Sequence, residues 1–245
     1  MSVQLTMEQL RQLRLTGMLS GLEHQLSQPV YSDLPFEQRF GQLVDAETSE
    51  RDSQRLKRLL RNARLKVQAE PEAIDYRPGR GLDRATFADL LTCGWIERRQ
   101  NLLVTGQTGT GKTWLACALG MQACRKGLPV GYKRVGRLLE EMEIAHADGS
   151  LGKLRAQLAK LQLLILDDFG LIPLNTRGRA DLLEVLDDRV GAGATIVAGQ
   201  MPVKEWHGFI NDPALADAIL DRLIHSSHKL ALRGESMRKL KAGVD

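Results

Sequence analysis

Residues 106–113 read GQTGTGKT, a complete match to the phosphate-binding pattern G-x-x-x-x-G-K-[ST], and the flanking residues give that pattern its mechanism. Leu102, Leu103 and Val104 precede it as an apolar run that reads as a buried strand. Trp114–Lys126 follows, rich in Ala, Leu, Cys and Met and stopped by Gly127, which reads as a helix with a glycine just past its end. Between strand and helix, Gly106, Gly109 and Gly111 let backbone N–H groups turn inward around a polyphosphate, and the helix N-terminus adds its positive dipole end. The whole run, Gly106, Gln107, Thr108, Gly109, Thr110, Gly111, Lys112 and Thr113, is the expected cradle of a nucleoside triphosphate. Lys112 is expected to reach the β- and γ-phosphates, and the Thr113 hydroxyl to ligate Mg²⁺.

A second part of the same site lies some fifty residues on. Leu163, Leu164, Ile165 and Leu166 form an apolar run ending in Asp167 and Asp168. Four apolar residues in succession suit a parallel strand covered on both faces. Ligands of open α/β sheets bind outside the carboxyl ends of the strands, so the two acids are expected beside the glycine loop. Asp167 then serves Mg²⁺ and Asp168 orients or polarises the attacking water.

Apolar residues make up 43% of the 245 and charged residues 26%, the balance of a globular protein large enough for one α/β domain and a small appendage. Aromatics at 4% argue against a stacking platform for single-stranded bases. No apolar stretch approaches the ~18 residues that span a bilayer, and no basic segment followed by an apolar core suggests a leader. Cys93, Cys117 and Cys124 are odd in number and lack metal spacing, and Cys117 and Cys124, seven apart on the helix after the glycine loop, read as small core residues; a reducing cytoplasm fits.

The net charge of +4 is unevenly spread. Residues 51–66, RDSQRLKRLLRNARLK, carry seven Lys or Arg against one Asp. On a helical wheel Leu56, Leu59, Leu60, Ala63 and Val67 form an apolar stripe, and Arg51, Arg55, Lys57, Arg58, Arg61, Arg64 and Lys66 cover the other arc. A solvated face is the ordinary fate of a charge run, but such faces mix signs and this one is nearly all cationic. The reading favours binding to the phosphate backbone of duplex DNA, with steep salt dependence and no sequence preference of its own.

Along the chain, the first 68 residues read as a helical DNA-binding or partner domain. Thr6 and Gln9 resemble a capping box opening a helix that turns Leu10, Leu13 and Leu22 to a core. Pro29 and Pro35 bracket a turn, and 36–50 and 51–69 continue as helices. Pro71, Pro78, Gly79 and Gly81 mark a linker, and 83–92 a short helix. From 69 to 245 strands are expected near 101–105, 130–134, 163–167, 195–199 and 229–232, alternating with helices. This is an α/β, P-loop NTPase pattern: a five-stranded parallel sheet with flanking helices and right-handed crossovers. Segment 135–162 reads as two helices broken at a glycine turn. Lys153, Arg155 and Lys160 on the second read mainly as its wet face.

The basic N-terminal region, GQTGTGKT, LLILDDFG, a strand ending AGQ and the tail DRLIHSSHKLALRGESMRK together resemble the IstB-type transposition helper ATPases. That family is similar to the DnaC-type helicase loaders within the AAA+ superfamily. The resemblance covers nearly the whole chain. It implies ATP and Mg²⁺ as cofactors, duplex DNA and a cognate transposase as partners, a bacterial cytoplasmic setting, and a homo-oligomer with ATP sites at subunit interfaces. It further implies that Gln200 senses the γ-phosphate, that Arg222 is an arginine finger acting on a neighbour's ATP, and that Arg238 is a second sensor within the subunit. Asp168 departs from the Glu that many AAA+ proteins carry there, pulling the carboxylate back by about one C–C bond, ~1.5 Å. The short tail after the last strand leaves no room for a C-terminal lid domain. The expected function is an ATPase that oligomerises on target DNA and recruits or stimulates a transposase during transposition. A DnaC-like replicative helicase loader is the alternative, and a small-molecule P-loop kinase a distant third.

Overall fold

The computed structural model describes residues 2–237, which divide into two compact units, one ending at Arg58 and the other beginning at Leu59. The first unit is helical. Helix α1 (Val3–Gln12) is capped by Ser2, whose hydroxyl accepts from the Leu5 N–H at 3.3 Å. Thr6 lies inside this helix, so the Thr6–Gln9 capping box expected from sequence does not form. Ser2 occupies the cap four residues earlier and its carbonyl takes the Thr6 N–H. Arg14 in a left-handed conformation (φ 59°) then ends the run, and Leu13 is 67% exposed rather than directed to a core.

Helix α2 (Thr16–Ser27) has no cap of its own. Its first amides, from Gly17 and Met18, donate instead to the Glu47 carboxylate on helix α3 (Phe36–Ala63) at 2.9 and 3.2 Å. A negative charge at a helix N-terminus satisfies orphan donors and complements the dipole. Gly17 permits the approach: a Cβ there would sit 2.4 Å from the Ala46 carbonyl oxygen. The helix pair expected over 36–69 is one unbroken helix to Ala63, because no proline intervenes and good helix formers fill the junction. Arg64, left-handed at φ 49°, stops it, so Arg64 and Lys66 lie beyond the helix rather than on its arc.

The second unit is built on a sheet of β1 (Asn101–Gly106), β2 (Val130–Arg134), β3 (Leu163–Phe169), β4 (Ala194–Gly199) and β5 (Ser227–Leu232). All pairings are parallel, in the order β2-β3-β4-β1-β5. Strands β1 and β3 are almost wholly buried, as their apolar runs require. Ahead of the sheet come α4 (Arg84–Leu91), capped by Asp83, and the single turn α5 (Gly94–Glu97), with Trp95 buried and its indole N–H on the Leu90 carbonyl. Helix α6 (Lys112–Arg125) follows β1, α7 (Val135–Asp148) and α8 (Leu151–Ala159) follow β2, and α9 (Thr176–Asp187) follows β3. The short α10 (Trp206–Ile210) and α11 (Pro213–Ile224) fill the last crossover.

Gly149 in the left-handed region (φ 78°) makes the break between α7 and α8. Leu138, Met142, Leu164, Leu166, Phe169, Val197, Trp206 and Ile219 belong to the main core. Arg189 is buried within the fold, donating to the carbonyls of Leu158 and Leu161 at 2.7 and 3.0 Å and to the Thr195 hydroxyl at 3.0 Å. Burial pulls its pKa down to about 10, and it remains charged at neutral pH. The three cysteines are buried, and burial pushes the Cys124 thiol up to about 11. Among the described residues no helix is long and apolar enough to cross a membrane.

Candidate nucleotide-binding site

The glycine loop leaves the carboxyl end of β1 and enters α6 at Lys112, with Gly111 left-handed (φ 96°) as the preceding residue. Thr110 is buried and its hydroxyl donates to the Gln107 carbonyl at 2.8 Å, which braces the loop internally. The Lys112 ammonium lies within the loop, donating to the carbonyls of Gly106 and Gln107 at 2.7 and 2.9 Å. A cavity of about 570 Å³ opens beside it, lined among others by Thr108, Gly109, Gly111, Lys112, Thr113 and Trp114. Asp168 and Gln200 line the same cavity, so the fold brings β3 and β4 ends to the loop as the apolar runs imply. Lys66 and Val67 also line it, which locates Lys66 at this cavity rather than on a helical cationic face.

Asp167 is 1% exposed. Its Oδ2 accepts from the Thr113 hydroxyl at 2.8 Å and from the Tyr132 phenol at 2.6 Å. Burial, then the hydrogen bond to Asp167, drives the Tyr132 pKa far above its ordinary value, so the phenol stays a donor. A hydroxyl and a carboxylate side by side are a hard oxygen donor pair, the kind Mg²⁺ takes, and they fit that ion. Asp168 differs. It stands at a bulge between Leu166 and Phe169 with φ 60°, and its Oδ2 accepts from Arg134 Nε at 2.6 Å. The carboxylate in turn raises the Arg134 pKa. In this arrangement the acid next to the cavity is held on an arginine of the neighbouring strand.

Three residues at the site escape sequence reading. Tyr132 and Arg134 sit on β2, whose register sets Arg134 opposite Asp167. A signal existed: both lie at the carboxyl end of an expected strand, but only the strand order makes that strand the neighbour of β3. Arg80 comes from the linker. It is buried, and its guanidinium donates to the Thr110 carbonyl at 3.0 Å and to the Asp75 carbonyl. Burial lowers its pKa, partly offset by Asp75. The tail also meets the loop, the Met237 N–H donating to the Gly109 carbonyl at 2.9 Å. Arg238 lies outside the described residues.

Arg222 is not brought to this cavity. It sits near the end of α11 with Nε donating to Asp187 at 3.1 Å, in a separate cavity of about 460 Å³ with Arg98, Arg99 and Asp221. Asn101, the first residue of β1, binds the Arg222 carbonyl at 2.8 Å, so Arg222 lies at the amino end of the sheet, opposite the loop. In the helical unit Arg51, Arg55, Lys57 and Arg58 are exposed on α3, with Arg51 Nε also donating to Glu47 at 2.7 Å. Arg61 and Arg64 are exposed in the second unit.

A parallel five-stranded sheet with a glycine loop after β1 and paired acids ending β3 makes a P-loop fold of AAA+ type. The fold is similar to that of the DnaC helicase loader, with a TM-score of 0.54 and 20% identity over 72% of this chain and 99% of that one. AMPPCP-bound DnaA from Aquifex aeolicus gives a TM-score of 0.59 and 18% identity over 73% of this chain and 54% of that one. Residues 8–243 match the model of the IstB-like ATP binding protein family, and the chain belongs to that family. A Sinorhizobium fredii protein named for ATP binding within an insertion sequence is 46% identical over 234 residues, 96% of each chain. A similarly named Pseudomonas fluorescens protein is 51% identical over 203 residues, 82% of this chain and 88% of that one.

Proposed function

We propose that this chain is the ATP-hydrolysing helper of an insertion sequence, which assembles on duplex target DNA in the bacterial cytoplasm and recruits or stimulates a cognate transposase. The observation that carries the enzymatic part is the hydrogen bond from Thr113, on the cavity wall, to the buried Asp167, with Asp168 lining the same cavity. The loop amides and Lys112 bind and orient the phosphates of ATP. Thr113 and Asp167 would hold Mg²⁺, which when bound would supply charge neutralisation at the phosphates. Asp168, once off Arg134, orients the attacking water and takes its proton, and Gln200 registers the γ-phosphate from the end of β4. Arg222, lying across the sheet from its own loop, serves a neighbouring subunit's site, which requires an oligomer. Arg238 remains the proposed second sensor.

The DNA part rests on the cationic surface of α3. Residues 1–68 are proposed as the DNA-binding or partner domain and 69–245 as the ATPase domain. Arg51, Arg55, Lys57, Arg58 and Arg61, with Arg64 beyond the helix end, bind the phosphate backbone, and Lys66, which lines the nucleotide cavity, is left out of that surface. The test is a salt titration of binding to a fluorescent duplex, alongside phosphate release with and without DNA. Replacing Arg55, Arg58 and Arg61 with Ala is expected to weaken binding irrespective of sequence. The salt slope of log K should shrink by about 0.9 for each phosphate the variant no longer neutralises. DNA-stimulated hydrolysis falls with it while ATP binding persists. An unchanged affinity and slope refutes the DNA reading, and capture of a replicative helicase in its place makes the chain a loader.

A further inference from the structure

The chain before the sheet contributes one buried cation to the phosphate loop. Arg80 is 8% exposed, yet its guanidinium forks between two backbone carbonyls: Asp75 in its own linker and Thr110 in the loop, the latter at 3.0 Å. Its own backbone is fixed from the other side, because the Arg80 carbonyl accepts the Arg233 N–H at 2.8 Å just past β5. The approach to the loop is close. A Cβ on Gly111 would stand 3.0 Å from Arg80 Nη2.

In a trans peptide the C=O and the following N–H point in opposite directions. A donor that holds the Thr110 carbonyl therefore also aims the Gly111 amide, directing it away from the guanidinium. Gly111 is the residue through which the loop enters α6, where inward-facing amides and the helix N-terminus make an anion site. A loop whose peptide planes can flip must order them at each binding event. One whose carbonyl is tied down arrives with its amide already turned.

We infer that Arg80 is a positioning residue of the phosphate loop, locking the Thr110–Gly111 peptide so that the Gly111 amide is available to the phosphates. Lysine cannot replace it fully, since a single ammonium lacks the planar fork that spans two carbonyls. The inference rests on the reading of the loop as the ATP site, and the experiment separates the two.

Competition against a fluorescent ATP analogue gives the affinities of ATP and of inorganic tripolyphosphate for wild type, Arg80→Ala, Arg80→Lys and Lys112→Ala, well below each unfolding midpoint. Loss of one hydrogen bond to a charged group corresponds to about tenfold or more in affinity. Arg80→Ala is expected to lose that factor for both ligands alike, and Arg80→Lys to fall between it and wild type. If Arg80→Ala does not fold, Arg80→Lys decides on the same two ligands. A folded Arg80 variant with wild-type affinity for both overturns the inference. So does a loss for ATP with none for tripolyphosphate, which would assign Arg80 to the nucleoside. Should Lys112→Ala bind ATP as wild type does, the loop itself has been misread. If Lys112→Ala loses ATP and the Arg80 variants keep it, only the role of Arg80 fails.

Discussion

Replacing Tyr132 with Phe removes one oxygen and leaves the ring packed on β2. What disappears is the phenol that donates to Asp167 Oδ2 at 2.6 Å. The same oxygen accepts the Thr113 hydroxyl at 2.8 Å. When the Thr113 oxygen turns to a cation, Tyr132 becomes the donor that keeps the carboxylate from rotating. A hydrogen bond to a charged acceptor contributes about 1.5–3 kcal/mol, and loss of an outer partner of a metal ligand typically costs about 10–100-fold in metal affinity. The two scales agree, since a factor of ten is about 1.4 kcal/mol. Tyr132→Phe is therefore expected to raise the Mg²⁺ concentration for half-maximal ATP hydrolysis by about tenfold or more, while the rate at saturating Mg²⁺ changes little. A Mg²⁺ titration of phosphate release, repeated with Thr113→Ala as the variant lacking a direct ligand, measures this. An unchanged midpoint for Tyr132→Phe, with a shifted one for Thr113→Ala, would refute the orienting role.

If Arg222 acts between subunits, Arg222→Ala protein binds ATP and hydrolyses it poorly, and mixing it with Asp168→Asn protein restores activity at interfaces that join an intact arginine to an intact acid. No rescue in demonstrably mixed oligomers counts against action on a neighbour. Glu47 gives a pH dependence. Its carboxyl is held below the usual range, first by the hydrogen bond from Arg51 and further by the amides of Met18 and Gly17, against the cost of burial. Its folded pKa is the lower one, so its contribution is present above the unfolded value and lost as pH falls through the folded value. Hydrogen exchange at the Gly17 and Met18 amides should accelerate relative to intrinsic rates as pH falls below about 4.5. That pH dependence should flatten in Glu47→Gln, and identical profiles for the two proteins would remove Glu47 as the cause.

The sheet was legible because burial leaves a local trace. The runs Leu102–Val104 and Leu163–Leu166 are continuous in sequence, and parallel strands covered on both faces must be so. The loop and Asp167 were legible because each is welded to such a run. Tyr132, Arg134 and Arg80 were not, since each acts on a partner far along the chain and only strand order or a linker path brings them together. The N-terminal differences have a local physical cause. Ser2 and Thr6 are both competent cap residues, and it is Ser2 that takes the cap, its hydroxyl accepting from the Leu5 N–H. The end of α3 falls short of its expected place because Arg64 adopts a left-handed backbone that nothing in its side chain announces.

Asp168 carries a similar backbone, and there it limits which substitutions can be interpreted. Aspartate and asparagine enter the left-handed region more readily than most residues with a Cβ, while glutamate has no such preference. The shorter acid at this bulge is thus a conformational choice as well as a chemical one. Anyone lengthening the side chain to accelerate turnover would be changing two variables at once, the reach of the carboxylate and the path of the main chain toward Phe169. Asparagine keeps the path and deletes only the charge, which makes Asp168→Asn the clean probe of what the acid does. A slow Asp168→Glu enzyme would say little about chemistry until its bulge had been seen.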